Sequence, residues 1–429
     1  MQTPANLNAL PGADDISREV LENGITVLCR PNYNSPSVVI SGYLANGSLA
    51  DPDARLGLAQ FTALGLMRGT AAHTFHQIYD LLESAGANLG FGVGMHTTSF
   101  SGRALAEDLP LLFSLLTDAV CRPVFPPAEI ERLRTQLMTS LAIRAQDTSE
   151  MASMAFDEMV YANHPYARPE DGFPETVQAI SVEDLAGYQR AYYGPRGMVI
   201  VIVGAVDPQQ AVDQVRSALG SWANPLQQDL PSLPPLAPLT QAAARQVNIP
   251  GKSQADLVMG GQGPSRKSAD YLPASLGNSV LGQFGMYGRI GDVVREQSGL
   301  AYYSYSTLNA GQGPGSWEVS AGINAANLEK TIALVQQEIR RFVNGPVSPE
   351  ELADSQANFI GRMPLTLESN MGVAGALLNL ERFELGLDYY RRYAGLVRAV
   401  TPAEALDVAR RYLDPERLVI ASAGTFQEA

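Results

Sequence analysis

Residues 282–306 read GQFGMYGRIGDVVREQSGLAYYSYS. The glycines Gly282, Gly285, Gly288 and Gly291 recur at every third position, and a short helical run follows from Asp292 to Glu296. Ser298-Gly299 breaks that run, and Ala301 to Ser306 has the tyrosine-rich composition of a strand. A glycine-rich turn lets backbone or ligand approach closely. Arg295 before the break and the tyrosines after it, Tyr302, Tyr303 and Tyr305, would supply fixed donors at one place. A tight loop, a surface arginine and core tyrosines would account for the same spacing.

Outward from this stretch, composition sets the frame. A chain of 429 residues with 45% apolar and 17% charged residues is globular and long enough for two or more domains. A net charge of −14 argues against binding a nucleic-acid backbone. No apolar run reaches the length of a membrane span, and the N-terminal residues MQTPANLNALPGADD lack a basic start followed by an apolar block. Cys29 and Cys121 have no metal or redox spacing; as buried free thiols they suit a reducing compartment, and the expected location is cytoplasmic.

In chain order, residues 1–16 read as a flexible N-terminus. Glu19 to Arg30 reads as a hairpin turning at Asn23-Gly24, Ser37 to Leu44 as a buried strand, and Leu56 to Arg68 as a helix apolar almost all round. Thr74 to Ala85 is amphipathic, with Phe75, Ile78, Tyr79 and Leu82 on one face and His73, His76, Asp80 and Glu83 toward the other. Pro127 and Glu129 open a long helix. His164 falls in a loop, and Met198 to Val203 (MVIVIV) is a buried strand. Residues 224–240 carry five prolines, marking an extended linker.

The second half repeats the first. Pro127-Ala-Glu129-Ile corresponds to Pro349-Glu-Glu351-Leu at an offset of 222 (349 − 127), and the buried strand closed by Gly204 recurs closed by Gly424 at an offset of 220 (424 − 204). The reading is therefore two homologous α+β domains, 17–223 and 244–429, joined by a proline-rich linker over 224–243.

Catalytic motifs are sparse. The four histidines, His73, His76, His96 and His164, form no HExxH or HxxEH. His73 and His76 with Asp80 could hold a metal if they share a helix face, but a solvated face explains them as well. There is no GxSxG, and neither Gly282-xx-Gly285-xx-Gly288 nor Gly260-Gly-Gln-Gly263 has nucleotide-loop spacing.

From Ser17 to Gly424 the chain resembles the insulinase/pitrilysin superfamily, in particular its short members related to mitochondrial processing peptidase. Leu21-Glu-Asn-Gly24-Ile-Thr-Val is similar to the family's opening LxNGxxV. Gly47-Ser48, Gly57-Leu-Ala59 and Arg68-Gly-Thr70 resemble the block around its zinc motif, and Thr98-Ser-Phe its following strand. Leu281 to Tyr302 resembles LGGGxxSRLxxxLREKxGLAY. The resemblance implies two tandem α/β-sandwich domains of the LuxS/MPP-like metallohydrolase fold, forming half of a clamshell.

The family's inverted zinc motif, HxxEH, should start immediately after Ala59. Here Gln60 stands in the first histidine slot, Ala63 in the glutamate slot and Leu64 in the second histidine slot; Ser140-Leu141 lies where a third, acidic ligand belongs. The resemblance implies a chain that binds no metal or other cofactor of its own. It would be the non-catalytic subunit of a zinc metalloendopeptidase whose partner, a homologous HxxEH subunit, holds the zinc. Assembly would be a heterodimer, with a homodimer open to the isolated chain, and a peptide substrate would be shared, without nucleic acid or membrane. Arg295 and Tyr302 would be its catalytic contribution, and Gly282, Gly285 and Gly288 its substrate-binding loop. Two other readings stay open here: a structural or binding paralogue without a peptidase partner, and an independent hydrolase with a metal at His73/His76. Metal analysis of the dialysed chain is expected to find no stoichiometric zinc; about one zinc per chain, lost in His76→Ala, would favour the independent hydrolase.

Overall fold

The computed structural model describes residues 10–426. β-Branched runs become the strands, and the Asn23-Gly24 turn, with Gly24 at φ 92°, joins β1 (Ser17–Val20) to β2 (Thr26–Pro31). With β3 (Ser37–Leu44), β4 (Asn88–Val93), β5 (Thr98–Leu105) and β6 (Val199–Gly204) these form a sheet in the order β1-β2-β6-β3-β5-β4. Only β2–β6 is parallel in this sheet.

A second sheet contains β7 (Ala243–Asn248), β8 (Ala255–Gly263), β9 (Ala301–Asn309), β10 (Gly315–Ile323) and β11 (Val419–Gly424), in the order β7-β11-β8-β10-β9. Its β7–β11 pair is parallel and its other pairs are antiparallel. Matched from β2 and β7 onward, the two sheets have the same order and the same parallel pair, so the sequence repeat is a repeat of topology. Helix lengths agree as well. Pro127–Arg144 and Pro349–Thr366 have 18 residues each, and Thr148–Val160 and Asn370–Arg382 have 13 each. Val182–Tyr192 and Pro402–Tyr412 have 11 each.

The chain divides into two compact units that are not contiguous in sequence. One comprises the segments ending at Leu141, Pro169–Ser232 and Met363–Arg392; the other comprises Ala142–Arg168, Leu233–Arg362 and Tyr393 onward. Relative to a boundary in the proline-rich stretch, the equivalent helices Thr148–Val160 and Asn370–Arg382 have changed places. Asn370–Arg382 packs on β6 and β3, whereas Thr148–Val160 packs on β11 and β8. In β11, Val419, Ala421 and Ala423 meet Ala152, Ala155 and Phe156 of that helix, while Ile420 turns to the opposite core. This is the period-two alternation of a strand covered on both faces.

Of the N-terminal stretch expected to be flexible, residues 1–9 lie outside the described residues. Residues 10–16 are fixed: Arg30 pairs with Asp15 at 2.8 Å, Arg391 pairs with Asp14, and Ile16 is buried. Cys29 and Cys121 are free, and burial pushes both thiols up to about 12. No helix among the described residues is long and apolar enough to cross a membrane.

Asp157 of helix Thr148–Val160 is desolvated and feels Glu318 of β10; burial first, and that negative charge second, push its carboxyl from 3.8 up to about 7. Because the folded-state value is raised, its contribution to stability is fully present below pH 3.8 and is lost as pH rises through about 7. Asp157→Asn keeps the neutral form at every pH. Urea titrations of both proteins should show the variant more stable at pH 8, by on the order of 1–3 kcal/mol, and the two converging near pH 4. A gap independent of pH would remove this account.

Candidate functional site

At the outer edge of the second sheet, β9 pairs only with β10. Tyr303 lies opposite Gly322, but Ala301 lies opposite Ile323, so Tyr302 is an extra residue in a β-bulge. Bulges re-aim a side chain and are enriched beside functional sites. Tyr302 is 73% exposed, which excludes the core-aromatic reading for this residue. Its neighbour behaves differently: the Tyr303 hydroxyl donates to Asp256, its ring lies 5.6 Å from that of Tyr305, and burial followed by the Asp256 bond raises its pKa. Asp256, which no sequence signal marked, also accepts from Thr148 and Gln254.

Ser304 and Ser306, on the face of the strand opposite Tyr303 and Tyr305, are fully buried. Ser306 Oγ bonds Asn278 Oδ1 at 2.7 Å on helix Tyr271–Gly282, and the same oxygen accepts from Trp317 Nε1 at 2.8 Å. This close contact explains Gly282, where a Cβ would stand 2.3 Å from the Ser306 nitrogen.

The glycine-rich stretch, expected as a turn, is instead largely helical over Phe284–Gly291. It continues into a π-helical turn, Asp292–Gln297, where a plain helical run was expected. Gly288, at φ 61°, is hemmed in: a Cβ would lie 2.6 Å from the Val280 carbonyl oxygen. Gly285, at φ 64°, faces open space. Of the three glycines assigned to substrate binding from sequence, two have their side-chain space filled by the chain itself, and one is open.

Arg295 sits in the π-helical turn, a geometry that recurs at functional sites. Val294 anchors the turn in the core, and Gly299, left-handed at φ 63°, ends it by donating to the Arg295 carbonyl at 3.0 Å. The guanidinium is one-third exposed, with Nε 3.6 Å from Glu296. Arg295 and Tyr302 therefore stand on either side of one tight connection, the first on a helical turn and the second on the strand it leads into.

The degenerate zinc motif occupies helix Leu58–Gly65, whose first turn is capped by Asp51, accepting from Gly57 and Ala59 at 3.0 Å each. Ala63 is fully buried, Leu64 packs against the core, and Gln60 is half-buried. At the third-ligand position Ser140 is exposed, with its hydroxyl donating to the Gln136 carbonyl, and Leu141 is buried. A methyl and an isobutyl group in two slots offer no donor atoms, so these residues do not fit zinc. His73, expected on a helix with His76, precedes that helix, which begins at Phe75 behind a Thr74–Gln77 capping box. His73 lies 3.3 Å from Asp118, which also pairs with Arg122. Among the described residues no three His, Cys, Asp or Glu side chains are grouped as a metal would require.

Two tandem copies of one α+β unit, the first with an emptied HxxEH helix and the second with an Arg–Tyr strand connection, define a metallopeptidase-type chain without its metal ligands. The sequence model of the insulinase family, peptidase family M16, matches residues 26–170, and that of the peptidase M16 inactive domain matches residues 179–359. The chain belongs to this family. It is 24% identical over 373 residues to an uncharacterised zinc protease of Streptomyces coelicolor, covering 86% of this chain and 80% of that one. It is 22% identical over 406 residues to a non-peptidase homologue of Helicobacter pylori, covering 94% and 93%. The crystal structure of a peptidase M16 inactive domain from Pseudomonas fluorescens superposes with a TM-score of 0.89 at 25% identity, covering 96% of this chain and 98% of that one. A protease from Helicobacter pylori shares the fold with a TM-score of 0.87 at 18% identity, covering 96% and 100%.

Gly285 and Gly288, both left-handed, should respond differently to substitution. Gly285→Ala meets only backbone strain, about 1–2 kcal/mol. Gly288→Ala adds a collision with backbone and should cost several kcal/mol or abolish folding. Thermal melts of both variants decide; equal costs would show that the segment yields to admit the Gly288 methyl.

Proposed function

We propose that this chain is the non-catalytic subunit of a two-chain insulinase-type zinc endopeptidase. It pairs with a homologous HxxEH subunit, binds part of an extended peptide, and presents Arg295 and Tyr302 to the partner's site. The observation that carries this reading is Tyr302: a large aromatic residue held at a strand bulge, 73% exposed, at a position the fold does not use for packing. When a peptide carbonyl is attacked, negative charge develops on its oxygen. A phenol hydroxyl and a guanidinium brought to that oxygen stabilise it in the transition state. The chain's own first-half helix offers no histidine or carboxylate ligand, so the attack itself belongs to the partner.

A second reading, a scaffold or binding paralogue with no peptidase partner, is favoured by the non-peptidase homologue among its relatives. The presence or absence of a companion chain separates the two. Co-expression with an HxxEH homologue encoded beside it should yield one complex on size-exclusion chromatography, and separate elution at micromolar concentration would favour the scaffold. In the complex, Arg295→Ala and Tyr302→Phe should leave assembly and melting temperature intact while lowering kcat roughly 10²–10³-fold with little change in KM. The double variant should be non-additive, because both groups serve one oxyanion. Unchanged kcat in Tyr302→Phe would remove the catalytic role.

A further inference from the structure

Arg382 closes helix Asn370–Arg382 on the first sheet. Its guanidinium lies 4.9 Å from the centre of the Tyr43 ring, and Nη2 donates to Thr97 Oγ1 at 3.4 Å, a long bond. Nε is buried and has no partner. No carboxylate among the described residues pairs with Arg382. Its neighbour Glu381 is taken on both oxygens by Arg18, at 2.7 and 3.1 Å. Tyr43 and Thr97 are themselves buried, so the cation is held in a poorly solvated place. Burial lowers the Arg382 pKa, with the charge of the Tyr43 phenol opposing the shift. Buried charges are costly unless paired, and proteins pair nearly all of them. A guanidinium set over an aromatic ring with its Nε unspent and one Nη held only by a long bond is half of an ion pair.

The ground beside it is open. Tyr43 pairs with Ser99 and Ser41 with Ser101, and on the next strand Gly92 faces Ser99 and Gly90 faces Ser101. These residues share the Tyr43 face of the sheet. A Cβ at Gly90 would meet nothing within 4 Å, and one at Gly92 only Ser99 Oγ at 3.4 Å. No large side chain from these positions blocks an extended chain approaching the guanidinium across β5 and β4.

We infer that Arg382, with Tyr43 and Thr97, forms an anchoring subsite for a carboxylate on an extended peptide, either an Asp/Glu side chain or a C-terminus. The planar fork of arginine matches a carboxylate in bidentate fashion. The overall charge of −14 selects against more highly charged anions such as phosphate. Peptide specificity would then come partly from this chain, at a place separate in sequence and unit from Arg295 and Tyr302. The inference rests on the reading of the chain as peptide-binding.

Fluorescence anisotropy on the full-length chain tests it with three short labelled Gly/Ser/Ala peptides. The first carries an internal glutamate and an amidated C-terminus, the second an internal glutamine and a free C-terminal carboxylate, and the third a glutamine and an amide. At least one of the two acidic peptides should bind ~10–100-fold more tightly than the neutral one, as expected for a charged hydrogen-bonded pair; the stronger of the two identifies the source of the carboxylate. Arg382→Gln should abolish the difference, and Arg382→Lys, which keeps the charge but not the fork, should retain part of it. Arg382→Gln should also melt no lower than the parent, since it removes an uncompensated cation, whereas a purely packing arginine would lower the melting temperature and leave the peptide preference unchanged. Equal binding of all three peptides overturns this inference and leaves the peptide-binding reading standing. Binding of none overturns both.

Discussion

Strand β6 is buried on both faces, and a helix from the far end of the chain closes the second of them. The helix Asn370–Arg382 lies over β6 and β3, and its repeat-equivalent Thr148–Val160 lies over β11 and β8. Val199, Val201 and Val203 need that cover as much as Ile200 and Ile202 need the helices of the opposite face. The attachment is more than apolar. Asn32 bonds Asn370 at 2.7 Å near one end of the first helix, Arg18 grips Glu381 at the other, and Thr148 bonds Asp256 at the start of the second. Everything that positions the candidate site follows, because Asp256 on β8 is also the residue that orders Tyr303 and so fixes the strand on which Tyr302 bulges outward.

Much of this was readable from residues alone. The MVIVIV run announced a doubly covered strand, and the offsets of 220 and 222 (Gly424 against Gly204, Pro349 against Pro127) announced a duplication that the sheet order repeats. The substitutions at Gln60, Ala63 and Leu64 needed no coordinates. The helix exchange was not legible, since repeats present near-equivalent surfaces and a helix carries no local mark of which copy it will cover. The glycine-rich stretch misled for a physical reason: glycine permits a turn but does not enforce one, and here two left-handed glycines, Gly285 and Gly288, sit within a largely helical path. The bulge at Tyr302 was also hidden, being a property of pairing with β10 rather than of β9. Nor did Arg382 announce itself, because an arginine at a helix C-terminus is ordinary.

The helix with the degenerate zinc motif holds because it is a core helix. Phe61 and Ala63 are fully buried, and Asp51 supplies a cap that depends on no metal. Arg134 lies 5.1 Å from the Phe61 ring and donates to the carbonyls of Val177 and Ile180, tying the neighbouring long helix to the same place. Ligand side chains in such a site are decorations on a packed element, and removing them leaves the packing whole. The Arg–Tyr connection is the opposite case. Tyr302 is exposed and contributes little to packing, so the fold places no demand on it.

The exchange of helices also sets a timetable for synthesis. The first sheet gains its last strand at Gly204, but the helix that covers its second face is not complete until Arg382. At about 5–20 residues per second, the intervening stretch of roughly 180 residues takes on the order of 10–35 s to emerge. Throughout that interval a valine-lined sheet face is open to whatever else is at hand. Its counterpart on the second sheet never waits, because Thr148–Val160 is made before any of the strands it covers. The two halves share one fold but not one hazard: the nascent first half is the part that a chaperone would have to shield.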